Sequence, residues 1–181
     1  MLDVLLLRFD APMMSFGTVA VDAIGHTSPF PGRSLLTGLL GNALGYDHRD
    51  ADRLMQLQTR ILHAVRRDCG GEVRTDYQTV DLGQPSLLDE VAWTTWGRLD
   101  HPRGGENKVG THIRRRDYLV DSVFTLAVTL VPTDEAPDIA AIEAALRKPA
   151  RPLYLGRKSC IPAAPLVLRR SRAPSLRQAV K

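Results

Sequence analysis

Residues 111–131 read THIRRRDYLVDSVFTLAVTLV and form the longest strand-like stretch of the chain. Valine, isoleucine, threonine and aromatic residues are frequent in it, and these residue types favour extended backbone. The pair Asp121-Ser122 interrupts the pattern, so the sequence predicts a long strand region that bends near Asp121. A region of this length needs partner strands and a second layer that covers its apolar side chains.

The segments before this stretch predict a first strand and two helices. Residues 4–9 are a compact apolar run, which is typical of a buried strand. Leucine and alanine recur every four residues over 35–44, which predicts a helix with Ser34 as its N-cap. Residues 50–57 fit a second, short helix.

The segments on either side of the stretch complete the pattern. Residues 60–68 and 72–80 alternate well enough to predict a strand pair joined at Gly70-Gly71. Residues 83–110 are rich in glycine and proline, which predicts a long loop or a projecting arm. Pro137-Asp138 predicts the cap of a last helix, because residues up to 146 continue with helical spacing of apolar side chains.

This order of elements predicts an α+β fold. Strand, helix, strand pair, strand, helix and strand follow one another without an internal repeat. The simplest architecture is a ferredoxin-like, mainly antiparallel sheet with helices on one face. Many unrelated proteins share that topology, so it identifies no activity.

The composition describes one globular domain, with or without an appendage. The chain has 181 residues, 44% of them hydrophobic, and no apolar run approaches the ~20 residues needed to cross a bilayer. The apolar N-terminus lacks the basic leader of an export signal. Two distant cysteines are too few for a disulfide framework or a zinc site, so we expect a cytoplasmic protein with no metal and no cofactor.

The charge is distributed unevenly along the chain. The net charge is +4, but residues 1–97 carry 8 basic and 12 acidic side chains, whereas residues 98–181 carry 16 and 8. Ten lysines and arginines follow Glu143 without another acidic residue. A polyanion is the natural partner of such a surface. The alternative for the part after Leu168 is a solvated basic tail.

The strand that opens the 21-residue stretch carries three consecutive arginines. Because side chains alternate along a strand, Arg114 and Arg116 share one face and Arg115 lies on the other. His112 and Tyr118 belong to the first face. Guanidinium, imidazole and phenol groups in one row favour phosphate contacts with stacking on bases. The alternative is a solvated hairpin whose arginines pair with nearby aspartates.

Two further segments have features of phosphate sites. Gly156-Arg-Lys-Ser-Cys160 places backbone N–H groups and two cations around one anion-sized volume. Gly32-Arg-Ser34 begins the predicted first helix, where unpaired amides and the helix dipole favour an anion. Neither segment is a Walker A loop.

Catalytic motifs are scarce in the sequence. It contains no HExxH, no GxSxG and no paired cysteines. Only His112, of five histidines, has a cationic setting, and with Lys108 or Tyr46 it could support metal-independent RNA cleavage. One histidine among arginines is more often a contact than a base, so the sequence favours binding over catalysis.

Resemblance to a known family rests on five segments. They are residues 12–17 (PMMSFG), 30–45 (FPGRSLLTGLLGNALG), 76–80 (DYQTV), 111–124 and 154–160 (YLGRKSC). In this order they resemble the CasD family of CRISPR-associated proteins, and the resemblance extends from the N-terminus to about Leu166. It implies an RRM-like, ferredoxin-type fold of the repeat-associated mysterious protein group with an extended, thumb-like arm at about 83–118.

The resemblance also implies a function in antiviral defence. Members of this family belong to Cascade, the type I-E surveillance ribonucleoprotein, in which they cap the 5′ handle of the crRNA. They contact the backbone subunit and the large subunit, and they meet target DNA through the complex. They are not catalytic, whereas type I-C relatives cut the repeat themselves. The alternatives are therefore a metal-independent endoribonuclease that processes crRNA and a generic single-stranded RNA-binding module.

The resemblance marks as RNA-binding the same residues that charge and spacing select. They are Ser15, Phe16, Gly17, Arg33, Ser34, Lys108, His112, Arg114, Arg115, Arg116, Tyr118, Gly156, Arg157, Lys158 and Ser159. No catalytic or metal-binding residue is predicted. Residues 1–166 are expected to form the domain and 167–181 a basic C-terminal segment. Because relatives extend further, that segment is expected to be a shortened end, a truncated one or the start of a fused domain.

Overall fold

The apolar runs at the N-terminus and after Asp121 form the centre of the fold in a computed structural model, which describes residues 1–18, 23–81, 92–93, 99–100 and 111–181. Its elements in chain order are β1 (Leu2–Asp10), β2 (Met13–Met14), β3 (Ile24–Gly25), α1 (Arg33–Leu44), α2 (Ala51–Arg60), β4 (Ile61–Cys69), β5 (Glu72–Asp81), β6 (Ala92–Trp93), β7 (Leu99–Asp100), β8 (Thr111–Val120), β9 (Val123–Leu130), α3 (Ile139–Arg147), β10 (Val167–Ala173) and α4 (Leu176–Ala179).

Four strands build the main sheet. They pair antiparallel in the order β10-β1-β9-β4. Helices α1 and α2 connect β1 to β4, and α3 connects β9 to β10. Two strand–helix–strand units interleaved in this order are the ferredoxin-like arrangement, so the predicted α+β fold is confirmed.

The two faces of this sheet are covered differently. On one face, Leu40 of α1, Leu57 of α2 and Ile142 of α3 pack with the buried side chains of β1 and β9. On the other face, the short α4 and Val180 cover Val4, Leu6 and Ala127. The prediction of helices on one face therefore holds for the three longer helices, while α4 lies opposite them.

Residues 167–181, which we predicted to be a basic C-terminal segment, supply the fourth strand of the main sheet. Val167 and Ala173 at the ends of β10 are buried, while the arginines between them stay at the surface. Arg170 donates from Nε to Asp3 Oδ1 at 2.9 Å, and this contact lowers the pKa of Asp3. Because β10 is an edge strand with charged side chains, its pattern resembles a solvated tail.

A second sheet projects from the first, and it corrects one predicted pairing. We expected β5 to pair with β4, but β5 pairs with β8 along ten residues and β4 pairs with β9. We call the β5–β8 pair the ribbon. At its base Gly71 has φ 58° and Ser122 Oγ donates to Gly70 O at 2.9 Å. The turn was predicted correctly, but the chain leaves the main sheet there instead of folding back on it.

The bend predicted near Asp121 is confirmed. Asp121 has φ 56°, and it separates β8 in the ribbon from β9 in the main sheet. At the edge of β8 away from β5, β2 pairs antiparallel and β3 pairs parallel.

Of the predicted arm, β6 and β7 pair with each other, and the remainder of 83–110 lies outside the described residues. In the described part of the chain, no helix has the length and apolarity to span a membrane.

The helix starts show one correct and one wrong prediction. Asp138 is the N-cap of α3, and its carboxylate accepts a hydrogen bond from Ala141 N at 2.8 Å. The N-cap of α1 is Gly32 and not Ser34, and no side chain caps that helix. Ser34 is the second residue of α1. Since no side chain caps the helix, its first amides are open to an external acceptor.

Replacing Asp138 with alanine is expected to lower the free energy of unfolding by about 1 kcal/mol, because it removes the acceptor for one amide at the start of α3. Urea denaturation followed by circular dichroism measures this change. Asp134→Ala is the matched control, since Asp134 is an exposed aspartate in the preceding loop. Equal midpoints for the two variants would contradict the assignment of the cap.

Candidate nucleic-acid interface

A cavity of 540 Å³ opens where α1 begins, beside the edge of β8. Its lining comes from five separate parts of the chain: Ser15, Gly17, Thr18, Ala23, Ile24, Gly25, His26, Gly32, Ser34, Leu35, Arg114, Arg115, Arg116, Gly156 and Arg157. Four of these residues are arginines, and none of the described lining residues is acidic. Such a lining concentrates positive potential in a concave site, which favours a polyanion.

Direct backbone contact holds two of these parts together. Ser15 N donates to Leu155 O at 3.1 Å. Gly156 has φ 118°, and a Cβ built on it would lie 1.8 Å from Ser15 O. Only glycine fits this backbone conformation at this distance. The predicted segments at 15–17 and 156–159 therefore meet in the fold.

Arg157 fixes the position of its own loop. Its Nη1 donates to Asp117 O and its Nη2 to Gly25 O, both at 2.8 Å. Its guanidinium also lies over the ring of Tyr118, 4.8 Å from the centroid. Arg157, which we predicted to bind RNA, is therefore a bridge between the 155–160 loop, β3 and β8 in the fold.

All three arginines of β8 border the cavity. Arg114 and Arg115 are exposed and Arg116 is half-buried. We expected the alternation of the strand to separate Arg115 from the other two. Because β3 covers only two residues of this edge of β8, groups from both faces of the strand reach the same opening.

His26 is a cavity residue that sequence reasoning missed. Its Nδ1 lies 2.9 Å from Asp117 Oδ2, and Asp117 Oδ1 accepts a hydrogen bond from Thr75 Oγ1 at 2.7 Å. Hydrogen bonds from Thr75 and then from His26 lower the pKa of Asp117. His26 and Asp117 are 91 positions apart, so no local pattern could reveal the pair.

Two aromatic residues that were predicted to bind RNA, Phe16 and Tyr118, are part of the core. Phe16 is 1% exposed and packs edge-on against Phe124, with ring centroids 5.4 Å apart. Tyr118 is 5% exposed and its ring lies under Arg157. The rings of Phe16 and Tyr118 therefore cannot stack on a base in this structure, because aromatic side chains near the end of a strand were needed to fill the core.

The remaining predicted residues divide between two neighbouring places. Lys158 lines an adjoining groove of 390 Å³ that shares Ser34 and Gly156 with the cavity. Arg33 is exposed but does not line the cavity. It lies close enough to His63 on β4 to affect that side chain: the burial of His63, and then the charge of Arg33, lower the pKa of His63. Ser159 is exposed, with its hydroxyl 3.5 Å from the Tyr118 hydroxyl.

Lys108 and the side chain of His112 lie outside the described residues.

Several cations of the C-terminal part have local partners. Arg147 donates to Glu143 Oε1 at 2.9 Å, and Arg151 donates to the carbonyl of Tyr46 at 2.6 Å, beyond the end of α1. Glu143 therefore offsets the charge of Arg147, whereas Arg151 keeps its charge but uses a donor on a carbonyl of the protein. Within the described ranges, no three His, Cys, Asp or Glu side chains gather closely enough to hold a metal ion.

Comparison with known proteins gives consistent matches. Residues 4–181 match the family model described as CRISPR-associated protein (Cas_Cas5). The CRISPR system Cascade subunit CasD of Escherichia coli (strain K12) is 35% identical over 164 residues, which cover 91% of this chain and 69% of that protein.

Two solved structures are also similar to this chain. A chain of a CRISPR RNA-guided surveillance complex superimposes with a TM-score of 0.69 at 32% identity, covering 97% of this chain and 66% of that one. A second structure, of a Cas protein, gives a TM-score of 0.56 at 28% identity and covers 91% and 62%. The chain thus spans about two thirds of the length of these relatives.

Proposed function

This chain belongs to the CasD family of CRISPR-associated proteins, and from this premise we propose that it binds crRNA as a non-catalytic subunit of a Cascade-type surveillance complex. The cavity at the start of α1 would hold the 5′ handle of the crRNA. The observation that carries this proposal is the lining of the cavity, with four arginines and no acidic residue among the described residues.

The chemistry of the cavity supports an RNA backbone as its ligand. Arg114, Arg115 and Arg116 project from one strand at successive positions, and guanidinium groups bind phosphate oxygens with two parallel hydrogen bonds. The first turn of α1 contains no acidic residue and has no side-chain cap. Its amides and the positive end of its dipole therefore add to the attraction for a phosphate.

Partner subunits would bind the ribbon formed by β5 and β8. The register of β5 and β8 puts Val73, Tyr77 and Ile113 on one face, and these side chains are 56%, 56% and 43% exposed. Apolar and aromatic side chains at the surface of a strand ribbon are typical of protein contacts. We propose that this face contacts the backbone subunit or the large subunit, and that target DNA is reached only through the complex.

One observation favours a second function, metal-independent cleavage of the crRNA precursor. His26 lies in the cavity with its Nδ1 held by Asp117, which is how a carboxylate orients an imidazole that acts as a general base. We expect no cleavage, because the described lining of the cavity contains no second histidine, no lysine and no tyrosine that could protonate the leaving oxygen.

The test uses the purified chain and labelled repeat RNA in EDTA. The proposal predicts intact RNA that binds in preference to an unrelated strand of equal length, with both compared at one salt concentration because phosphate contacts dominate the affinity. Specific cleavage that His26→Ala or His112→Ala abolishes would establish the endoribonuclease instead. Equal affinity for both strands would indicate a generic single-stranded RNA-binding module.

A further inference from the structure

The ionisable side chains of the cavity differ in the hydrogen bonds they can make. The four arginines only donate, whereas a neutral imidazole donates from one nitrogen and accepts at the other. His26 is the histidine of the described lining, and its side chain is 54% exposed. It therefore adds a ring nitrogen that can accept a hydrogen bond to a lining whose four arginines only donate.

The neighbours of His26 decide which nitrogen accepts. Asp117 is an ionised carboxylate that already accepts from Thr75, at 2.7 Å, and it lies 2.9 Å from Nδ1 of His26. Because an ionised carboxylate can only accept, Nδ1 must carry the proton. In its neutral form the ring then presents Nε2 as an acceptor.

The ligand group that pairs with this acceptor must be a donor. Phosphate oxygens cannot donate, and the deoxyribose of DNA has no hydroxyl at the 2′ carbon, but the ribose of RNA has one. We propose that His26, held by Asp117, accepts a hydrogen bond from a ribose 2′-hydroxyl and so selects RNA over DNA in the cavity. This inference rests on the proposed RNA-binding function and names the residue that distinguishes the two nucleic acids.

The experiment measures the affinity of the chain for a series of repeat-derived handle RNAs, each with one 2′-deoxy nucleotide, at pH 8 and fixed salt. At this pH an ordinary imidazole is neutral. The wild-type protein is expected to lose about five- to tenfold in affinity at one position of the series, the effect of one neutral hydrogen bond. At the other positions we expect little change.

Two variants of His26 form a matched pair. His26→Asn keeps a nitrogen that can donate to Asp117 but has no group at the place of Nε2. We therefore expect this variant to bind every RNA of the series with the same affinity. That affinity should be about five- to tenfold weaker than the affinity of the wild type for the unmodified RNA. His26→Gln keeps an amide oxygen or nitrogen near the place of Nε2. It is expected to retain part of the penalty at the same nucleotide.

Two outcomes would overturn the inference and leave RNA binding intact. One is a wild-type protein that tolerates 2′-deoxy nucleotides at every position, and the other is a His26→Asn variant with an undiminished penalty at the same nucleotide. A wild-type protein with no affinity for the handle RNA would instead overturn the proposed function and this inference with it. Thermal melting of both variants confirms that they are folded, and the wild-type series decides the matter if either one is not.

Discussion

Simultaneous replacement of Arg114, Arg115 and Arg116 with alanine is expected to weaken binding of the handle RNA by at least about 100-fold at 0.1 M salt. A hydrogen bond from a charged group contributes ~1.5–3 kcal/mol, so the loss of two or three such contacts exceeds the ~2.7 kcal/mol that corresponds to a factor of 100. The slope of log affinity against log salt should also fall by about 2, since each phosphate contact on a single strand contributes ~0.7.

A matched control removes the same charge elsewhere. Arg169, Arg172 and Arg177 are exposed on β10 and α4, and they do not line the cavity. Their joint replacement with alanine should reduce affinity only slightly, through the change in net charge. A β8 variant whose affinity and salt slope match those of this control would contradict the assignment of the cavity as the RNA site.

Gly156→Ala is expected to lower the free energy of unfolding by about 2–4 kcal/mol and to reduce RNA affinity together with it. Alanine at φ 118° is strained, which costs ~1–3 kcal/mol, and its Cβ would lie 1.8 Å from Ser15 O. The 155–160 loop must then move away from the 15–17 segment, and the cavity loses one of its walls. Urea denaturation and RNA titration at a temperature where the variant is folded measure the two effects.

Gly38→Ala is the control for this substitution. Gly38 lies inside α1, and a Cβ there would meet nothing within 4 Å. Alanine in a helix is favoured over glycine by ~1 kcal/mol, so this variant should be slightly more stable than the wild type. Unchanged stability and affinity in Gly156→Ala would show that the loop does not depend on its contact with Ser15.

Features encoded by local patterns could be predicted from the sequence. The first strand, α1, the bend at Asp121 and the cap at Asp138 each depend on residues within one or two turns of the chain, so spacing alone reveals them. The same holds for the cationic stretch at Arg114–Arg116, which carries most of the positive charge of the cavity.

Features decided by distant contacts could not be predicted in the same way. β5 alternates like any half-exposed strand, and nothing in residues 72–81 distinguishes β4 from β8 as its partner. The hydrogen bonds of Arg157 to the carbonyls of Gly25 and Asp117 depend on segments 132 and 40 positions away. A sequence pattern shows that a cation is present but not whether a carbonyl group of the protein already occupies its donors.

The ribbon begins after β4 and ends before β9, and these two strands are neighbours in the main sheet. The chain therefore leaves and re-enters the sheet at almost the same place, where Ser122 holds Gly70. The ribbon is thus an insertion between β4 and β9, and its length can change without any change in the order of the four strands of the main sheet. The part of the ribbon that lies beyond the contacts of β8 with β2 and β3 can therefore differ in length among relatives while the four-stranded sheet keeps its strand order.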